Sequence, residues 1–266
     1  MPDPITVAVA STDLAVGDNR VVFGLIRQGK GPIKGAQVDV ETFLLTTSEQ
    51  DGPRQTVPAE FQVWPGGSGG VYVATLTFNE TGEWGLGLKL KDADGSDTRA
   101  GTRVQVKSES ATPALGAAAP RSKNRTARDV GDLAELTTDS DPEPELYVMT
   151  IEEALDEGIP LVVSFATPAY CKTATCGPQL DAIKDLKATH SDRVNFLHVE
   201  VYDNPPEIRA EGISAAKLSP TLAEWGLPTE PWTFVIDADG NVRAKYEGYV
   251  GSDELEEAIT STLGGS

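Results

Sequence analysis

The chain has 266 residues, enough for two average domains, and it is strongly acidic, with 41 Asp and Glu against 22 Lys and Arg. A net charge of −19 disfavours nucleic acid, whose phosphates need a basic surface, and it equally disfavours docking on anionic lipid. We therefore expect no nucleic-acid partner. No apolar run reaches the roughly 18 residues that a membrane-spanning helix needs, so we also expect no transmembrane span.

The first ten residues, MPDPITVAVA, lack the basic segment followed by an apolar segment that marks a signal peptide. The prolines at positions 2 and 4 lead almost directly into a strand-like run. We therefore hypothesise that the native N-terminus carried an export signal upstream of Met1. The same upstream segment could also anchor the protein to the membrane, for example as a lipoprotein.

Residues 1–108 predict an all-β domain, because short alternating or β-branched runs recur between Gly- and Pro-containing turns, with no helical period. Six or seven strands of this length predict an immunoglobulin-like β-sandwich. The predicted strands are 5–10, 20–27, 36–45, 70–78, 83–91 and 102–107. The segments GPIKGAQVDVETF and GGVYVATLTFNETGEWGLGLKLKD resemble the YtkA-like β-sandwich modules of bacterial exported proteins. This resemblance implies an extracytoplasmic bacterial protein.

Residues 109–146 change in character, from small and polar to acidic and proline-bearing. Such composition predicts an interdomain linker near 109–119, followed by an extended arm that reaches residue 146 and packs on the second domain.

Residues 147–266 alternate between helical and strand patterns. Thr150 and Glu153 form a capping-box pattern, which predicts a helix start. The predicted order is α-β-α-β-α-β-β-α, a mixed sheet covered by helices. Its strands are 160–166, 194–202, 232–237 and 242–249, its second helix ends near His190, and its last helix is 253–263.

Cys171 and Cys176 are the two cysteines of the chain, and a close pair predicts a redox couple or half of a metal site. Pro178 limits where the next helix starts, because proline is tolerated only in a first turn. Cys176 therefore falls in the first turn and Cys171 in the preceding loop. The free N–H groups and the dipole of this helix end favour thiolate, and we expect them to act more on Cys176 than on Cys171.

A disulfide between the two cysteines sets a condition on the loop that joins them. Five residues of helix rise about 7.5 Å, whereas a disulfide needs Cα atoms roughly 4.4–6.8 Å apart. The bond is therefore possible only if residues 172–174 loop back before the helix begins.

The VVSFA strand, the cysteine pair, the following helix, the VNFLHVEV strand and the Pro-preceded EPWTFVID strand resemble the thioredoxin fold over residues 147–266. The resemblance implies that Cys171 attacks a substrate disulfide and that Cys176 resolves the mixed disulfide. It also implies a protein thiol or disulfide as the partner and no cofactor. We therefore predict an extracytoplasmic thiol–disulfide oxidoreductase with a Cys171–Cys176 disulfide.

The thioredoxin family places a cis-proline opposite its cysteines, and Pro231 in TEPWTFVID matches it. The resemblance assigns Pro231 to substrate binding, with Glu230 before it and Tyr170 beside the first cysteine. The spacing departs from the family, since it is Cys-x4-Cys rather than Cys-x-x-Cys. Tyr170 also replaces the usual tryptophan, and Ser164 stands where thioredoxin carries a buried aspartate. These departures disfavour a general cytosolic reductase.

A peroxidase is a second interpretation of the cysteines. Thr173-Ala-Thr-Cys176 matches the Thr-x-x-Cys motif of peroxiredoxins, although Pro168 lies one residue too far upstream to be their proline. The arginine of such a site would have to be Arg209 or Arg243.

Two non-catalytic interpretations also stay open. Copper chaperones of the Sco type combine this fold with a cysteine pair and a distant histidine, for which the chain offers His190 and His198. We expect His190 at a helix end and His198 inside a strand, and we assign no metal ligand. The last interpretation is a binding module in which the disulfide is an inert staple.

Overall fold

The computed structural model describes residues 3–45, 52–67, 69–91, 95, 97–171 and 175–264. The chain divides into two compact units, Met1–Ser110 and Ala111–Ser266. We name the first the β unit and the second the α/β unit. Within the described ranges, no helix combines the length and the apolar character that crossing a membrane would require.

The β unit is built from antiparallel strands, as its recurrent β-branched runs predict. They are β1 (Ile5–Val9), β2 (Gly17–Arg27), β3 (Gly31–Pro32), β4 (Gln37–Leu44), β5 (Gln55–Val63), β6 (Gly70–Phe78), β7 (Gly82–Lys91) and β8 (Asp97–Val106). Hydrogen-bonded neighbours follow the order β1-β2-β6-β5-β4-β7-β8, and β3 pairs with β2.

Two strands change neighbours along their length and so fold this sheet over on itself. Strand β2 pairs with β6 over residues 17–23 and with β1 over 23–27. Strand β5 pairs with β4 over 55–59 and with β6 over 60–63. A parallel bridge between Ala15 and Lys107 joins the start of β2 to the end of β8. The result is a barrel-like sandwich, and the all-β fold predicted for this part of the chain is confirmed.

Aromatic side chains fill the centre of the β unit. Trp84 is fully buried, and its ring meets that of Phe78 edge-on at 5.1 Å between centroids. Its indole N–H donates to the carbonyl oxygen of Glu80 at 3.1 Å, so the one polar atom of the side chain is satisfied. Tyr72 stacks on Phe23 at 5.7 Å. This apolar packing is what holds the unit together.

The α/β unit contains a four-stranded mixed sheet with helices on its faces, so the predicted fold class is confirmed. The elements are α1 (Ile151–Asp156), β9 (Leu161–Ala166), α2 (Cys176–His190), β10 (Asn195–Glu200), α3 (Pro205–Glu211), α4 (Pro220–Glu224), β11 (Trp232–Ile236), β12 (Val242–Glu247) and α5 (Ser252–Gly264). The strand order is β10-β9-β11-β12. Strand β10 runs parallel to β9, and β11 is antiparallel to both β9 and β12. Helix α3 is an addition to the predicted order.

Strand β9 is buried along its whole length, which is why its sequence is a continuous apolar run. Its alternate residues face two different apolar clusters. Val163 and Phe165 pack with Trp225, whereas Val162 packs with residues of α2 and α5. The sheet is therefore covered on both faces.

Helix α1 begins where the capping-box pattern predicts. The Glu153 N–H donates to Thr150 Oγ1 at 3.1 Å, and the Thr150 N–H donates to Glu153 Oε2 at 2.8 Å. The two residues thus satisfy each other's free backbone donors.

Residues 111–146, which we name the arm, belong to the α/β unit and follow both outer strands of its sheet. Along β12, the Gly116 N–H donates to the Val242 carbonyl oxygen at 2.8 Å. Along β10, the arm supplies Leu136 and Leu146 to the apolar cluster beneath α2. The arm therefore covers strand edges that would otherwise be open to pairing.

Candidate functional site

The cysteine pair and Pro231 lie at one end of the sheet in the α/β unit, where β9 and β10 finish and β11 begins. We call this end of the strands the cysteine edge. Ala166, the last residue of β9, is in register with Glu200, the last residue of β10. Trp232, the first residue of β11, is in register with Phe165. Residues 167–171, which we name the cysteine loop, therefore leave the sheet at the same end at which β11 begins. In open α/β sheets, ligands bind outside the carboxyl ends of the parallel strands.

The cysteine pair lies at the end of this loop. Helix α2 begins at Cys176, as the position of Pro178 predicts. Cys171 and Cys176 form a disulfide with a Cα–Cα distance of 5.9 Å, within the range that such a bond requires. Residues 172–174, which we predicted to loop back, lie outside the described residues. Cys176 is 0% exposed, whereas Cys171 is half-buried, so Cys171 is the more accessible residue of the pair.

The start of α2 acts on Cys171 rather than on Cys176. The backbone N–H of Cys176 donates to the Sγ atom of Cys171 at 3.2 Å. The expectation that the helix end acts more on Cys176 stays a prediction, and this hydrogen bond favours Cys171 instead. The amide of a helical residue points back along the axis, so it reaches the sulfur in front of the helix. A donor at a helix N-terminus stabilises a thiolate on Cys171.

The peptide bond between Glu230 and Pro231 is cis, as the thioredoxin resemblance implies. Pro231 directly precedes β11, which puts it at the same edge as the cysteine loop. Tyr170 is half-buried and packs against the apolar cluster that contains Phe165 and Trp232. The assignment of Pro231, Glu230 and Tyr170 to substrate binding stays a prediction.

His198 lies in β10 with both ring nitrogens engaged. Its Nε2–H donates to the Ala166 carbonyl oxygen at 3.1 Å, and its Nδ1 accepts from the Tyr147 hydroxyl at 2.7 Å. Burial lowers the pKa of His198 from 6.5 to about 4, so the ring is neutral. A ring bonded in this way has no lone pair left for copper. Among the residues with described positions, no cluster of three or more His, Cys, Asp or Glu is suited to a metal ion.

The arginines proposed for a peroxidase site are held elsewhere. Arg209 donates to the carbonyl oxygens of Ala134 and Thr137, both at 2.5 Å. Arg243 lies 3.9 Å from Asp237, at the sheet edge opposite the cysteines. Thr173 of the peroxidase motif lies outside the described residues.

Glu200 is a buried carboxyl group near the cysteine loop, and the sequence analysis did not single it out. Although it ends β10 as a charged residue, it is only 6% exposed. Its Oε2 accepts the N–H of Thr138 at 2.7 Å and the hydroxyl of Thr138 at 2.8 Å. Burial raises its pKa from 4.5 to about 7, against the hydrogen bonds from Thr138 that lower it. The available signal was a glutamate inside the predicted strand VNFLHVEVY, which is apolar apart from Asn195, His198 and Glu200.

Two family profiles match the chain. The YtkA-like family matches residues 1–89, and the thioredoxin-like domain family matches residues 147–262. A comparison with curated proteins finds no match.

Solved structures with similar folds are distant from this chain. A thioredoxin-family thiol:disulfide interchange protein from Chlorobium tepidum TLS is 19% identical, with 57% of this chain and 96% of that chain covered and a TM-score of 0.34. A DsbF homologue from Corynebacterium diphtheriae is 18% identical, with 39% and 72% covered and a TM-score of 0.30. Likenesses this distant carry no argument about activity. On the two family profiles, the protein consists of a YtkA-like N-terminal domain and a thioredoxin-like C-terminal domain.

Proposed function

We propose that the protein is an extracytoplasmic thiol–disulfide oxidoreductase that acts on protein thiols or disulfides through Cys171 and Cys176. The observation that carries the proposal is the asymmetry of the pair. The disulfide lies at a helix N-terminus, with Cys171 half-buried and Cys176 fully buried. An inert staple has no need of this arrangement, whereas an exchange reaction needs one accessible sulfur and one protected sulfur.

The exchange begins at the accessible sulfur. A substrate thiolate attacks Cys171 Sγ, the bond between Cys171 and Cys176 breaks, and its electron pair goes to Cys176 Sγ. A second substrate thiolate then attacks the substrate sulfur of the mixed disulfide and releases Cys171. The substrate loses two electrons and two protons and gains a disulfide, and the cysteine pair takes these up as two thiols. The same steps in reverse reduce a substrate disulfide.

The helix end assists the reaction in both directions. The Cys176 N–H that donates to Cys171 Sγ stabilises negative charge on that sulfur. A stabilised thiolate is a better leaving group when the substrate is oxidised, and it is present in a larger fraction as a nucleophile when the substrate is reduced.

The remaining features fit a protein substrate outside the cytoplasm. Pro231, Glu230 and Tyr170 would contact the substrate chain beside Cys171. A disulfide persists in an oxidising compartment, which fits an extracytoplasmic location. Fractionation of cells that express the full native gene tests this location and tests for a lipoprotein or other anchor upstream of Met1.

Single cysteine variants test the reaction. We expect Cys171→Ser to reduce disulfide exchange with a model protein, such as reduced or oxidised insulin, to background. Cys176→Ser should instead accumulate a mixed disulfide between Cys171 and the substrate, because the resolving thiol is missing. Mass spectrometry of the trapped species identifies the linked cysteine, and the double variant is the control. Full activity of Cys171→Ser would reverse the two roles. Thiols that resist alkylation in both variants would favour the binding module.

The midpoint potential of the pair fixes the direction of electron flow. A midpoint potential of about −120 mV would indicate an oxidant, and one of about −270 mV would indicate a reductant. A value well below about −300 mV would indicate a structural disulfide and contradict the proposal. Peroxide consumption that depends on Cys176 would instead indicate the peroxidase.

A further inference from the structure

Glu200 is a buried carboxyl group that the proposed exchange does not use. It ends β10 beside Ala166, the residue from which the chain leaves β9 toward the cysteines. It also lines a cavity of about 30 Å³, which is large enough for a water molecule. The group is therefore buried, but a proton can reach it through water.

A hydrogen-bond network connects this carboxyl to the cysteine loop through one residue of the arm. Thr138 donates both its N–H and its hydroxyl to Glu200 Oε2. Its Oγ1 atom also accepts the N–H of Ala169 at 3.3 Å and lies 3.3 Å from Thr167 Oγ1. The Thr138 hydroxyl donates to Glu200, and a side-chain hydrogen bond from Thr167 to the same carboxyl also lowers the pKa of Glu200. Ala169 is two residues before Cys171, so the hydrogen-bond network reaches the segment that leads to this cysteine.

Several titratable groups face this network from the surrounding elements. They are Asp139 and Tyr147 of the arm, Lys184 of α2, His198 of β10, Tyr202 after β10, Glu230 before β11, and Arg125 and Asp203 at the cavity. Lys184 pairs with Asp139 at 2.7 Å. Burial raises the pKa of both tyrosines and lowers the pKa of His198, so these three side chains are neutral near pH 7.

We propose that Glu200 is a positioning residue for disulfide exchange, which fixes Thr138 and through it the cysteine loop at Thr167 and Ala169. The inference rests on the proposed function. As a carboxylate, Oε2 accepts two donors from Thr138 at once. Protonation removes the negative charge and gives the carboxyl a hydroxyl donor, so it weakens the two hydrogen bonds that Thr138 donates. Protonation of Glu200 thereby changes the hold on the loop that carries Cys171.

The first test uses the reduced full-length protein and the rate at which iodoacetamide alkylates Cys171 between pH 5 and pH 10. We expect two titration steps in the wild type, one from the thiol and one near pH 7 from Glu200. Glu200→Gln should lose the step near pH 7, and Glu200→Asp should restore it in part. Glu247→Gln is the matched control, because it removes the same charge from the last residue of β12 at the same edge. The proposal is overturned if Glu200→Gln keeps both steps.

A variant of the arm separates positioning from simple charge repulsion. Thr138→Val keeps the N–H bond to Glu200 but removes the hydroxyl that meets Ala169 and Thr167. We expect this variant to lose the step near pH 7 in the alkylation profile. If the step persists, the hold on the loop does not pass through the Thr138 hydroxyl and the proposed route is wrong.

The second test needs no variant and no activity. In the oxidised wild-type protein, the amide resonances of Thr138 and Ala169 should shift with pH around one shared midpoint near pH 7. Independent or absent titration would contradict the proposal even if the protein exchanges disulfides. Shared titration in a protein that exchanges no disulfides would refute the proposed function and leave the network itself intact.

Discussion

The two units bury different kinds of side chain. In its described residues, the β unit buries the polar side chains of Ser11, Asp13 and Thr42, and the rest of its core is apolar. The α/β unit buries a much larger polar set, which includes His198, Glu200 and other groups near the cysteine edge of the sheet. Buried polar groups cost free energy unless they are hydrogen-bonded. The α/β unit, in which we propose the exchange reaction, therefore depends more on side-chain hydrogen bonds in its interior than the β unit does.

One buried carboxylate in each unit shows how the partners of such groups differ between the units. Asp13 in the β unit meets the ammonium group of Lys107 at 3.1 Å and also accepts from the Ser110 hydroxyl. Glu200 in the α/β unit is met by the amide and hydroxyl donors of Thr138. A cationic partner favours the charged form of a carboxyl group, whereas burial among neutral donors favours the protonated form. The pKa of Glu200 is about 7, so its protonation can change near neutral pH.

The largest expected effect is the loss of the central aromatic side chain of the β unit. Trp84→Ala should destabilise this unit by about 3–5 kcal/mol, because it leaves a large cavity in an apolar core. Hydrogen exchange measured by mass spectrometry should show faster exchange in segments from residues 1–110 and unchanged protection in β9. Val63→Ala is the control, because Val63 is 56% exposed. Equal loss of protection in β9 would mean that the two units do not differ in this way.

A second prediction concerns the opposite pH dependence of two buried groups in the α/β unit. The pKa of Glu200 is raised from 4.5 to about 7, so its contribution to stability is complete below pH 4.5 and is lost as the pH rises to about 7. The pKa of His198 is lowered from 6.5 to about 4, so its contribution is present above pH 6.5 and is lost as the pH falls to about 4.

Urea denaturation at a series of pH values measures both contributions. The free energy of unfolding of the wild type relative to Glu200→Gln should fall by about 3 kcal/mol between pH 4 and pH 8. The difference between the wild type and His198→Gln should rise by a similar amount over the same range. Stability curves that run parallel for wild type and variant would contradict the prediction for that residue.

The smallest expected effect tests a local interaction outside both the apolar core and the site. Thr150→Ala should lower the stability of the α/β unit by about 1 kcal/mol, because it removes the side-chain cap from the Glu153 N–H. Thr150→Ser keeps the hydroxyl and should stay within a few tenths of a kcal/mol of the wild type. Thermal unfolding of the three proteins gives the comparison. An alanine variant as stable as the serine variant would show that the cap contributes nothing.

Sequence patterns predict helices and strands well where residues close in sequence specify them. They fail where contacts with distant segments determine the structure. Strand β5 was not predicted, because Pro58 interrupts its pattern. The half of β5 that contains Pro58 pairs with β4 alone, so a residue without an N–H can be accommodated there. Helix α3 was also missed, since its start at Pro205 and Pro206 resembles a turn as much as a first helical turn.

The candidate site divides in the same way. The cysteine pair, the helix start at Cys176 and the position of Pro231 before a strand follow from short stretches of sequence. Glu200 and Thr138 do not, because they are 62 residues apart and meet only when the arm packs along β10. No local pattern carries the burial that raises the pKa of Glu200.

The sequence by itself determined the kinds of element, the cap at Thr150 and a thiol pair at a helix N-terminus. These features depend on residues within a few positions of each other, so the chain encodes them locally. Only the tertiary structure decided which sulfur is accessible, that the first amide of α2 meets Cys171, and that a carboxyl group is buried beside the cysteine loop. Exposure and hydrogen bonding between distant segments depend on how those segments pack, and short stretches of sequence do not specify that packing.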